Sequence, residues 1–215
     1  MASKPVAEEL RFEPLAAPDE RSFEELYGIY AASIAIREQK TRAQITALVL
    51  RPDYKVLLAK RQGVVIGLSM VFLPVQESFC LLEYMAVQAM HRNSGVGASL
   101  FRHSIQVAAS IQGETSMLLE VDSPDQEIHR RRQQFYRRLG CRRIEGLSYL
   151  LPLSGEGPPP EMDLMVHVSP AMSSIPKSAL EHWLKVIYQD AYGCSSDDFR
   201  IALMLEAVPD PVGLV

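Results

Sequence analysis

The chemistry of this chain is concentrated in Met85-Ala-Val-Gln-Ala-Met-His-Arg92-Asn-Ser-Gly95-Val-Gly97-Ala98-Ser-Leu. An apolar run ends here, a short loop follows, and two glycines open a helical pattern. The first turn of a helix exposes unpaired N–H groups at the positive end of its dipole, and glycine lets a phosphate come close. Asn93, Ser94, Gly95, Val96, Gly97 and Ala98 would supply the amides, and Arg92 a fixed positive charge. That combination suits a pyrophosphate; the competing reading is that Gly95 and Gly97 only permit a tight strand-to-helix turn. A P-loop fails for want of Gly-Lys-Ser/Thr, and Leu100 replaces the third glycine of a dinucleotide fingerprint.

Two carboxylates and one phenol stand out nearby. Glu83 alternates with Met85 and Val87 on one face of a strand pattern, and Glu120 closes the run Leu118-Leu-Glu-Val121. Either could serve as a base or pair with an arginine. Tyr136, in Phe135-Tyr136-Arg-Arg-Leu-Gly140, carries a hydroxyl that stays protonated at neutral pH, or else is an aromatic anchor for a helix end.

Arg92-x-x-Gly95-x-Gly97-Ala98 after a strand ending in Met85-Ala-Val87 resembles the acetyl-CoA signature of the GNAT superfamily of N-acetyltransferases, and Phe135-Tyr136 through Gly140 resembles its second motif. The resemblance covers roughly residues 10 to 168. It implies acetyl transfer from acetyl-CoA to a primary amine, of a small molecule or a peptide, in a ternary complex and without a metal. It implies further that Met85, Ala86 and Val87 flank the pantetheine, that a backbone N–H near Val87 donates to the oxyanion, and that Tyr136 is the acid. The strand end at Glu120 resembles the ribosomal-protein N-terminal acetyltransferase branch, where a glutamate acts as base; Glu83, or a carboxylate acting through water, is the rival. An attacking amine must be neutral, an oxyanion needs a donor, and a thiolate of pKa about 8.5 leaves more readily beside an acid. Two positions depart from the pattern: His129 stands where many members have an asparagine that bonds the cofactor, and either hydrogen-bonds coenzyme A or, as the preferred reading, is a solvated helix-face histidine, and Cys141 follows Gly140 in place of phenylalanine. The alternative function is an acyl-CoA-binding or interaction module without transferase activity. Transfer of a longer acyl chain is also open.

The elements that must position these groups follow from hydrophobic periodicity. Ser22-Phe-Glu-Glu25 reads as a capping box for a helix carrying Phe23, Leu26, Tyr27, Tyr30 and Ile34, and a second helix spans Thr41 to Leu50. The runs 54–60 and 64–72 form a hairpin through Arg61-Gln62-Gly63, and 79–87 is a third strand. A helix from Gly95 to Gln112 and a strand from Ser116 to Val121 make a crossover that requires parallel pairing. A helix over 125–139, capped by Ser123-Pro124-Asp125, precedes strands at 144–151 and 162–168 around the loop Gly155-Glu-Gly-Pro-Pro-Pro160. The fold class is therefore α/β (α+β): a mixed, mostly antiparallel sheet of six to seven strands flanked by helices. We expect one domain over residues 8–168, followed by a helical extension over 169–215. Leu180, Trp183, Leu184, Ile187, Tyr188 and Tyr192 give that extension an apolar face to pack on the core or on a partner chain, as in a homodimer.

Composition bounds the rest. The 215 residues fit one domain with an appendage, given roughly 150 per domain, and 47% apolar against 22% charged residues suffice for a core. Lys and Arg number 22 against 26 Asp and Glu, a net charge of −4 that argues against a nucleic-acid partner. The arginines at 130–132, 137, 138, 142 and 143 read as a solvated face, with one or two near the cofactor's phosphates. Cys80, Cys141 and Cys194 are odd in number and lack a CxxC pair, so neither disulfides nor zinc is expected. No run is long enough to span a membrane and the N-terminus lacks a signal-peptide pattern, so the expected location is cytoplasmic.

Overall fold

The computed structural model describes residues 9–15, 19–153, 161–168 and 172–215. Among these, a mixed sheet of eight strands is flanked by helices, with hydrogen-bonded order β1-β2-β3-β4-β5-β8-β6 and β7 also on β8. The loop expected at 155–160 lies outside the described residues. The chain divides into two compact units, residues 1–71 with 84–107, and residues 72–83 with 108–215.

In the first unit, β1 (Leu10–Pro14) is an edge strand antiparallel to β2 (Tyr54–Arg61), with Phe12 opposite Ala59. Helix α1 (Glu20–Ser33) is capped by the Asp19 side chain, which accepts from the Ser22 amide. The capping box expected at Ser22 is thereby corrected: Ser22 is buried inside the helix, where its hydroxyl accepts from Lys60 Nζ at 2.7 Å. Helix α2 (Arg42–Leu50) carries a reciprocal box between Thr41 and Gln44. The β2–β3 turn uses left-handed Gln62 and Gly63, and β3 (Val64–Phe72) is buried from Val65 onward. Strand β4 (Phe79–Val87) ends in this unit, and α3 (Val96–Gln112) starts there. Leu57, Ala59, Ile66, Val96 and Leu100 form a core against which Met85 and Val87 pack.

The second unit contains the start of β4, paired in parallel with β5 (Ser116–Asp122) from Phe79↔Ser116 to Leu82↔Leu119, as the crossover requires. Helix α4 (Glu127–Arg138) starts two residues later than expected; its N-cap is Gln126 without a side-chain bond, which corrects the cap expected at Ser123-Pro124-Asp125. It closes at Gly140, whose φ of 91° favours glycine. The single strand expected at 144–151 is instead β6 (Arg142–Arg143), an isolated bridge from Ile144 to Leu214, and β7 (Tyr149–Leu150). Strand β8 (Glu161–His167) pairs antiparallel with β5 on one edge and with β6 and β7 on the other.

The C-terminal segment forms β9 (Ser174–Ile175), α5 (Lys177–Val186), a π-helical turn at Ile187–Ala191, α6 (Phe199–Leu205) and β10 (Val212–Gly213). Trp183 packs on Phe79 with ring centroids 5.7 Å apart, and Glu77 receives His182 Nε2 at 2.9 Å. No helix among the described residues is long and apolar enough to cross a membrane.

Candidate active site

Between β4 and α3 the chain makes a 3₁₀ turn, Ala89–His91, and then bends through two left-handed residues, Asn93 (φ 60°) and Gly95 (φ 86°). Asparagine tolerates this region better than most residues and glycine adopts it freely. Residues 92 to 95 are exposed, and Val96, the first helical residue, is buried. A Cβ built on Gly95 meets nothing within 4 Å. The helix therefore opens onto free space at its dipole-positive end, where an anionic ligand fits. The Ser94 hydroxyl donates to the His91 carbonyl at 2.6 Å, which tightens the loop.

Arg92 is exposed and hydrogen-bonded to its surroundings. Its Nε donates to the Val87 carbonyl at 3.0 Å and an Nη lies 3.4 Å from Ser33 Oγ, so the guanidinium ties the loop back to the end of β4 and to α1. Below that strand end lies Gly67 on β3, where a Cβ would sit 3.1 Å from the Ala86 carbonyl and 3.5 Å from Val87 Cγ2. The Gln88 amide donates to the Ile66 carbonyl at 2.9 Å. Met85, Ala86 and Val87 are thus fixed by β3 from beneath.

In the second unit, Glu83 and Glu120 each follow the last pair of the parallel β4–β5 ladder, Leu82 and Leu119. Glu83 is buried and Glu120 half-buried. Glu120 Oε1 accepts from the Tyr149 hydroxyl, and Oε2 accepts from the Tyr192 hydroxyl at 2.5 Å. Burial and the Glu120 charge push both phenols well above their ordinary range. Neither Tyr149 nor Tyr192 belongs to a motif that marks it for chemistry in the sequence. Their separations from Glu120, 29 and 72 residues, leave no local pattern to find.

Tyr136 is buried on α4, edge-on to Phe135 at 5.0 Å, and its carbonyl accepts from the Leu139 and Cys141 amides as the helix ends. Burial raises its phenol above the usual value, so it holds its proton throughout the neutral range. α4 is tied to β5 and β8 by Gln133, whose amide donates to Asp163 Oδ2 at 2.5 Å and to the Asp122 carbonyl at 3.1 Å, and by the Arg132–Asp122 ion pair. His129 is not a solvated histidine: it lies 2.6 Å from Asp125 Oδ1 and its side chain is only 20% exposed. Arg130 and Arg131 pair with Glu127 on the exposed face of the helix. Among the described residues no cluster of His, Cys, Asp and Glu could hold a metal ion.

Comparison with known proteins places this arrangement. The model of the acetyltransferase (GNAT) family matches residues 19–141. A protein assigned to GNAT acetyltransferases from Bacteroides thetaiotaomicron has a similar fold, with TM-score 0.72 at 22% identity over 86% of this chain and 99% of that one. The ribosomal-protein-S18-alanine N-acetyltransferase of Escherichia coli superposes with TM-score 0.57 at 14% identity, over 76% and 97%. An aminoglycoside 6′-N-acetyltransferase complexed with coenzyme A gives 0.59 at 14% identity, over 73% and 95%. No curated protein matches the sequence significantly. Since the matched region is more than half of the sequence, the chain belongs to the GNAT family of acetyltransferases.

Proposed function

We propose that the protein transfers an acetyl group from acetyl-CoA to a primary amine by direct attack in a ternary complex. The observation that carries this reading is the left-handed turn at Asn93 and Gly95, with open space beside Gly95, where β4 leads into the first turn of α3. Acetyl-CoA supplies an activated thioester. The amides of residues 93 to 98 hold its diphosphate, and a backbone N–H near Val87 donates to the carbonyl oxygen that becomes negative. Arg92 fixes the Val87 carbonyl, and so the strand end that presents this donor.

Glu120, or Glu83 beside it, takes the proton that the acceptor amine must lose, directly or through a water. As the C–N bond forms and the C–S bond breaks, the Tyr136 phenol gives its proton to the sulfur and regains one from solvent. Burial keeps that phenol protonated at neutral pH, which suits the role.

Thiol release from acetyl-CoA over a panel of spermidine, kanamycin and a peptide beginning with alanine tests the reading. Turnover with one of these is expected, and Tyr136→Phe should lower kcat by roughly 100-fold without weakening coenzyme A binding. Coenzyme A binding by calorimetry with no transfer to any amine would instead favour a binding module, and unchanged turnover in the variant would remove Tyr136 from the mechanism.

A further inference from the structure

The Glu120 carboxylate is gripped from two sides by residues that arrive from far along the chain. Tyr149 lies on β7, beyond β8, and Tyr192 directly follows the π-helical turn of the C-terminal segment. That turn is closed by the Tyr192 amide donating to the Ile187 carbonyl at 3.3 Å, five residues back. π-Helical turns cost hydrogen-bond geometry and recur where a side chain must be aimed. Here Tyr188 donates to the Leu150 carbonyl and sets its ring edge-on to Tyr149 at 6.5 Å, while Tyr192 reaches Glu120.

We propose that Tyr192 and Tyr149 are positioning residues that hold the Glu120 carboxylate by one oxygen each, so that the C-terminal segment is part of the acid–base site. The proposal rests on Glu120 acting in the transfer as proposed above.

A glutamate at a strand end turns about three side-chain bonds, and one donor on each oxygen fixes the carboxylate plane. Glu83 on β4 lies close enough that its charge, like that of Glu120, raises both phenols. Tyr188 in the same unit is flanked by the Arg200–Asp198 pair, and on β8 the register partner of Glu120 is apolar Leu164. Both gripping phenols keep their protons across the working range because they are buried, so they act as donors at any pH at which the carboxylate ionises.

The test is a carbon-13 NMR titration of glutamate side-chain carboxyls, with the Glu120 resonance assigned by Glu120→Gln, in the full chain and in Tyr192→Phe and Tyr149→Phe. Phenylalanine keeps each ring and removes only the donor. The Glu120 midpoint should rise by about one pH unit in either variant, because a lost bond to the ionised form favours protonation. The acid limb of kcat against pH, measured with whichever panel amine is acetylated, should rise by the same amount. An unmoved midpoint in both variants, with amide spectra showing an intact fold, overturns the proposal; if one variant fails to fold, the other decides. A shifted midpoint with an unmoved acid limb removes these tyrosines from the reaction but leaves acetyl transfer standing. Failure of the parent chain to acetylate any amine overturns the functional reading instead, and the NMR arm reports on the grip alone.

Discussion

Replacing Gly95 by alanine separates the two things this residue does. Its φ of 86° lies where a Cβ crowds the neighbouring carbonyl, a cost of about 1–2 kcal/mol for alanine. Apart from its chain neighbours, no atom of the described residues lies within 4 Å of that Cβ, so backbone strain is the effect on the free protein. For a chain of this size, that lowers Tm by roughly 2–8 °C. The effect on coenzyme A has a different origin. The added methyl enters the space through which a diphosphate reaches the helix amides, and each N–H bond lost to a charged oxygen is worth about 1.5–3 kcal/mol, or roughly a 10- to 100-fold rise in Kd. Gly95→Asn is the companion variant: asparagine tolerates the left-handed region, so it should regain part of the Tm while binding as poorly as alanine. Differential scanning calorimetry and isothermal titration with coenzyme A read both quantities. Variants that melt early yet bind coenzyme A as tightly as the parent would refute the assignment of the turn as a phosphate cradle.

Other perturbations probe the supports. Gly67→Ala sets a methyl 3.1 Å from the Ala86 carbonyl, so β4 must shift at its end; we expect about 1–3 kcal/mol of destabilisation and weaker acetyl-CoA use, checked by denaturant titration and KM. Burial lowers the His167 pKa below its value in the unfolded chain, so the unfolded state takes up a proton first as pH falls through about 6.5. His167 therefore subtracts stability on acidification and none above neutrality, and denaturant midpoints of His167→Gln should fall less between pH 7 and 5 than those of the parent. Cys80 and Cys141 are buried thiols pushed up to about 12, whereas Cys194 is partly exposed. Ellman's reagent should label one thiol quickly in the native protein and all three after denaturation.

What could be read from the sequence follows the range over which each signal acts. The hairpin at 54–72, the strand at 79–87 and the crossover to β5 stand where periodicity and the glycine turn place them, because apolar alternation and left-handed glycines are local. Strand β1 carries little local signal: only Leu10 and Phe12 alternate and Pro14 closes the run, which an edge strand tolerates. At the first helix a carboxylate competes with a hydroxyl for the cap, Asp19 taking the amide of Ser22 itself. In the site, Gly95 and Tyr136 belong to short motifs and could be named. The phenols around Glu120 could not, since Tyr192 looked like one more apolar position on an amphipathic helix. Arg92 likewise carries a charge that suggested phosphate, while its hydrogen bonds go to Val87 and Ser33.

The central claim is most directly tested by a crystal structure of the protein with coenzyme A. The account predicts diphosphate oxygens within hydrogen-bonding distance of the backbone amides of residues 93 to 98, with the thiol close to the Tyr136 hydroxyl. A bare turn, or a thiol remote from Tyr136, would contradict it.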